Sequence, residues 1–274
     1  MLNLFEKALA NSSALEDAFK AVLAGMSDDD GNVIRDFANW IEQQALISIG
    51  TKLFVVLELL NGRTYQNTYE RAEEQARLSG RDAKEILREQ LNTYYERRIA
   101  FDSKFEDGKK FRYAALNAGG LGPSVFSPYC IVLKGSFQSS LDHIACLPGD
   151  SLVVTFSDDG SFDEPLFESQ IAPHSRRHLL AAKERATEIP TVAREEWPSL
   201  ILSGSRYFEV IFMGEVTLDS MQCVRVPEPE YTAKWDLTFQ NLIANPNDAE
   251  RALAHDFLQL RREQLAGRVI VEVI

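Results

Sequence analysis

The texture of the chain changes near Gly108, and that change limits the folds open to it. Before it, residues 2–24 and 33–61 carry apolar positions at three- and four-residue spacing, the period of helices with one buried face. After it come short β-type runs, "YCIVLKGSF" (129–137) and "SLVVTFS" (151–157), divided by Gly, Pro and Ser turns. "YFEVIFMGEVTL" and "MQCVRVPE" (221–228) read as two further strands. A tail follows, helical from about Asp248 to Leu265, with "RVIVEVI" (268–274) as a final strand. The expected class is α+β: a helical region over 1–107, then an α+β domain over 108–274.

Punctuation within the helical part is explicit. "SDDDGN" (27–32) resembles a calcium loop, but a loop glycine at Gly31 would need an acid at Met26 and a glutamate at Phe37. A helix-capping turn accounts for it better. Between Thr64 and about Lys104, Glu and Arg interleave on what read as solvated helical faces, with a break at Gly80 and a new start at Asp82.

Bulk properties exclude several classes. The chain has 274 residues, 45% of them hydrophobic, yet no run reaches the eighteen or so apolar residues of a membrane span. Its start lacks a basic leader followed by an apolar block, so a cytoplasmic product is expected. Cys130, Cys146 and Cys223 form no CxxC unit, which argues for buried thiols rather than disulfides or a zinc site. A net charge of −12 opposes non-specific binding to nucleic acid.

Some stretches carry candidate chemistry. His174 and His178 are four apart, but Ser175 stands where a zinc protease needs glutamate, so no metal is expected. "LNAGGLGP" (116–123) is either a backbone cradle for phosphate or a tight connection, and it matches neither common nucleotide fingerprint. Arg112, just before it, is suited to a bidentate grip on a pyrophosphate. Ser151 has no GxSxG elbow or lysine partner, so it reads as a hydrogen-bonding group rather than a nucleophile. Tyr113, Phe126 and Tyr129 are rings that either stack on a base or fill a core. Along "EVIFMGE", Glu209, Ile211 and Met213 share a strand face. That face is apolar, so Glu209 belongs either to a functional site or to a buried salt bridge. Glu215, after Gly214, is expected to point outward.

In chain order, a basic residue, a serine and a glutamate each fall at a β-type run, an order that resembles the Arg–Ser–Glu arrangement of the ADP-ribosyltransferase superfamily. "YFEVIFMG" (207–214) is similar to that family's catalytic-glutamate strand. The run "RYAALNAGGLGPSVFSPYCIVLKG … LPGDSL … YFEVIFMGEVTLDSMQCVRV" also resembles an uncharacterised bacterial ADP-ribosyltransferase-like family, over about residues 109–227. The resemblance implies a mixed-sheet domain that uses NAD as substrate and no metal. It implies Glu209 as the catalytic residue, with Arg112 and Ser151 around the cofactor; Tyr113 and Tyr129 are the rings expected to stack on it. It also implies transfer of ADP-ribose to a macromolecular acceptor, a toxin or defence role, and an inhibitor or antitoxin protein as partner. Tyr207 stands where the arginine-modifying branch has Glu or Gln, so arginine is not implied as acceptor. Met213 replaces a histidine of the uncharacterised family, whose role does not carry over. The rival reading is a non-catalytic interaction protein on an α+β scaffold, in which Arg112, Ser151 and Glu209 would not meet.

Overall fold

A computed structural model describes residues 1–123, 127, 129–203, 205–228 and 248–274. The amino-terminal region is helical, as expected: α1 (Leu4–Ala10), α2 (Ser12–Ala24) and α3 (Asp28–Gln44) precede strand β1 (Leu46–Thr51) and α4 (Leu53–Leu60). Then come α5 (Thr68–Ser79), α6 (Ala83–Leu91) and α7 (Tyr95–Asp102). The mixed part continues with β2 (Arg112–Asn117), β3 (Tyr129–Leu133), α8 (Gly135–Ser139), β4 (Ile144–Leu147) and α9 (Ser151–Val154). It runs on through α10 (Glu164–Gln170), β5 (Ala172–Pro173), α11 (Arg177–Glu184), α12 (Trp197–Ile201), β6 (Leu202–Ser203) and β7 (Arg206–Tyr207). Last are β8 (Glu209–Phe212), β9 (Met221–Val226), α13 (Asp248–Leu265) and β10 (Val271–Val273). Among the described residues, no helix is long and apolar enough to cross a membrane.

The capping signals act where the sequence places them. Ser27 accepts from the Asp30 amide and starts α3, and three acids then occupy its first turn. Gly80 ends α5 at φ 73°, a left-handed turn that suits glycine, and the Asp82 side chain caps α6. Two expectations are corrected. Residues 33–61 are not one helical run, because α3 stops at Gln44 and "LISIGT" forms β1, largely buried and rich in β-branched residues. "SLVVTFS" is not a strand. Asp150 accepts from the Leu152 amide and turns Ser151–Val154 into a short helix.

The chain divides into two compact units, each drawing on both sides of residue 108: Met1–Ala45, Gln66–Ala118 and Leu141–Gly214 in the first, Leu46–Tyr65, Gly119–Ser140 and Glu215–Ile274 in the second. Within the first unit the strand order is β2-β8-β4-β5, antiparallel throughout. One of its cores is aromatic, with Phe101, Phe105, Phe111, Phe156, Phe162 and Phe167 meeting mostly edge-on or tilted, together with Ile211 and Leu147. Within the second unit the order is β10-β9-β3-β1, with β9 and β10 parallel and the other pairs antiparallel. Gly122 has φ +98°, and an added Cβ would lie 2.6 Å from that of Cys130, so the glycine-rich loop packs closely against β3. Arg225 ties the same loop by donating to the Gly120 carbonyl at 2.9 Å.

Gly108 lets the chain pass against the end of α7. A Cβ there would sit 1.9 Å from the Asp102 carbonyl oxygen. Gly108→Ala is expected to destabilise the protein by about 1–3 kcal/mol, the usual cost of overpacking against backbone. Denaturant unfolding checks this, and unchanged stability would show that the turn yields freely.

Candidate functional site

Register settles which side chains share a face in the first unit. Ala115 and Leu147 lie directly across from Glu209, and Tyr113 and Ala145 lie across from Ile211. Direct antiparallel partners point to one side, so Tyr113 and Glu209 share the face that carries the aromatic core. Arg112 alternates to the opposite face with Phe212 and Val210.

Glu209 is only 3% exposed. Its Oε2 accepts the Ser151 backbone N–H at 3.0 Å. That amide is free to donate because it opens α9 and has no helical acceptor of its own. Helix α7 holds α9 in place: Arg97 donates to the Leu152 carbonyl at 3.0 Å, and Arg98 Nη1 donates to the Ser151 hydroxyl at 3.4 Å. The Arg98 guanidinium lies 3.6 Å over the Tyr113 ring and 3.8 Å from the Asp102 carboxylate. Asp102 in turn accepts hydroxyls from Tyr69, at 2.7 Å, and Tyr113. Asp150 acts electrostatically on the Tyr207 hydroxyl.

Electrostatics follows from this burial. Loss of water pushes the Glu209 carboxyl up to about 7, with Arg98 pulling it down, Asp150 adding to the rise and Ser151 favouring the ionised form. Asp102 is pushed up to about 6 by burial, against the pull of Arg98 and the two tyrosine hydroxyls. Burial alone would lower Arg98, but Tyr113, Glu209, Asp102 and Asp150 together raise it. Burial is also the first cause that raises Tyr69, Tyr113 and Tyr207. A single buried guanidinium thus stands among several acids in a region with little water. The arrangement can hold a carboxylate beside a developing positive charge and can hold a proton near neutral pH.

Three of the expected residues meet here: Glu209, Ser151 and Tyr113. Arg112 does not. It is 8% exposed on the other face, where Nη2 lies 3.1 Å from each Glu70 carboxylate oxygen and Nη1 donates to the Lys110 carbonyl. Glu70 also completes the capping box of α5 with Asn67, so Arg112 anchors a helix start. Tyr129 belongs to the second unit, 4% exposed and edge-on to Phe257 at 6.0 Å, with its hydroxyl pushed up to about 12 by burial. Phe126 lies outside the described residues. Glu215 is exposed, as its position after Gly214 suggests. The three cysteines are buried and none is in a disulfide among the described residues. His174 is pushed down to about 3 by burial and by Arg177. Among the described residues, no group of three or more His, Cys, Asp or Glu is placed to hold a metal ion.

Sequence reasoning missed Arg98, Asp102 and Tyr69. They sit in the stretch read as solvated charge. A signal was present: Arg98 and Asp102 are four apart on a helix that also carries Tyr95, Ile99 and Phe101, so one ion pair lies along an apolar face.

Both carboxyls are raised, so the native chain keeps protons that the unfolded chain releases. The stability this supplies is complete below the ordinary values of 4.5 and 3.8. It is lost as pH rises through about 7 for Glu209 and about 6 for Asp102. Glu209→Gln should remove up to about 1.4 kcal/mol per pH unit from the fall in unfolding free energy between pH 5 and 7. Denaturant melts at several pH values check this, and an unchanged slope would mean that Glu209 does not titrate there.

Comparison of the sequence with protein-family models finds no model that matches, and comparison with curated proteins finds no match.

Proposed function

We propose that the chain is an NAD-dependent ADP-ribosyltransferase in which Glu209 serves as the catalytic carboxylate. One observation carries this reading: a carboxylate on an otherwise apolar sheet face, almost out of water, held by the Ser151 amide with a guanidinium close by. Breaking the bond between the nicotinamide nitrogen and the ribose sends the electron pair out with neutral nicotinamide and leaves an oxocarbenium ion. A fixed carboxylate next to that ribose stabilises the charge as it develops, more strongly in a water-poor site than in solution. The acceptor then attacks the anomeric carbon, forming the new glycosidic bond, and gives up its proton to solvent. The cation of the site is Arg98, in place of the expected Arg112. Because Glu209 is covered, the reading requires α9 to shift before a ribose can reach it. A macromolecular acceptor, a toxin or defence role and an inhibitor partner follow from the resemblance in the sequence.

The second reading, a non-catalytic interaction protein, is favoured by the engagement of Arg112 with Glu70 on the far face. The two part cleanly in one experiment: incubation of the purified protein with labelled NAD and a cell lysate, following free nicotinamide and labelled acceptor. The enzyme reading expects turnover that falls about 10²–10³-fold in Glu209→Gln, the size of loss typical for a group that stabilises transition-state charge. Absence of NAD binding and turnover, with the variant indistinguishable from the parent, would leave the interaction protein standing.

A further inference from the structure

We infer that Arg98 is a positioning residue that couples Asp102 and Glu209 into one titrating pair, with Ser151 as the link between the guanidinium and Glu209. Its meaning for catalysis rests on the proposed function, whereas the coupling is a property of the contacts among Arg98, Asp102, Ser151 and Glu209.

Helix α7 presents Arg98 and Asp102 on one face, 3.8 Å apart. Asp102 is fixed from two other elements, by Tyr69 of α5 and Tyr113 of β2. The Tyr113 ring also carries the guanidinium on its face at 3.6 Å, so Arg98, Tyr113 and Asp102 form a closed set of contacts. From this set Arg98 reaches the Ser151 hydroxyl, and the Ser151 amide reaches Glu209. The charged and titratable groups around Glu209 are Arg98 from α7, Asp150 beside α9, Tyr207 of β7 and Tyr113 of β2. Those around Asp102 are Arg98, Tyr69 and Tyr113. One buried cation therefore serves two buried acids. It favours the ionised form of each, and proton binding by one leaves it freer to hold the other as a carboxylate. Neutralising Asp102 should make Glu209 more acidic, whereas removing Arg98 should make it less so.

The test is a ¹³C NMR titration of the side-chain carboxyl carbons, with the Glu209 signal assigned by its loss in Glu209→Gln. Asp102→Asn is expected to lower the Glu209 midpoint by about one pH unit or more, and Arg98→Met to raise it by a similar amount. Arg98→Lys, which keeps the charge, should restore much of the parent value. Tyr69→Phe removes one hydrogen bond to Asp102 and is the gentler variant should Asp102→Asn not fold. It should shift Glu209 in the same direction by less. A Glu209 midpoint unmoved by both Asp102→Asn and Tyr69→Phe would overturn the coupling, as would equal midpoints in Arg98→Met and the parent. The titration needs no NAD, so its failure is distinguishable from a failure of the proposed reaction.

Discussion

A guanidinium removed from water is the interaction on which the described site depends. Arg98 has an 11% exposed side chain, and Asp102 beside it only 2%. Burying such charges unpaired costs several kcal/mol each, so their neighbours must supply both opposite charge and hydrogen bonds. Tyr113 offers a π face, Asp102 an ion pair and Ser151 an acceptor. Each contact also fixes a separate element: β2 through Tyr113, α5 through Tyr69 and Asp102, α9 through Ser151 and the neighbouring Arg97. The position of Glu209 relative to its amide donor follows from those constraints.

The same logic explains why Arg112 has a different task. Both arginines are nearly buried, but they lie toward different partners. Arg112 places Nη2 between the two carboxylate oxygens of Glu70, and the capping box of α5 fixes that carboxylate from the other side. This is a structural arrangement. Arg98 stands among several acids, so charge is unevenly matched there and protons have a reason to move. A site with unmatched charge is where chemistry is to be sought.

Much of the helical part was legible from local signals. Ser27, Gly80 and Asp82 act through their own backbone neighbourhoods, so a single sequence suffices to read them. Glu209 was legible because strand alternation placed it on an apolar face and the structure keeps it there. What escaped had non-local causes. "LISIGT" has apolar spacing compatible with a helix, and its strand pairing is with β3, some eighty residues on. "SLVVTFS" has strand-like residues, but Asp150 caps it and α7 holds it from about fifty residues before. Arg98 was one of many charges on an apparently solvated surface. Only its contact with Tyr113 of β2 and Asp102 distinguishes it from Arg97 or Arg88.

A double-mutant cycle between Arg98 and Glu209 tests the central claim most directly. Unfolding free energies would be measured for the parent, Arg98→Met, Glu209→Gln and the double variant at one pH above 7. If the two groups form one electrostatic unit through Ser151, the double variant should depart from additivity by about 1 kcal/mol or more. Additivity within about 0.3–0.5 kcal/mol would mean that they act independently and would contradict the account.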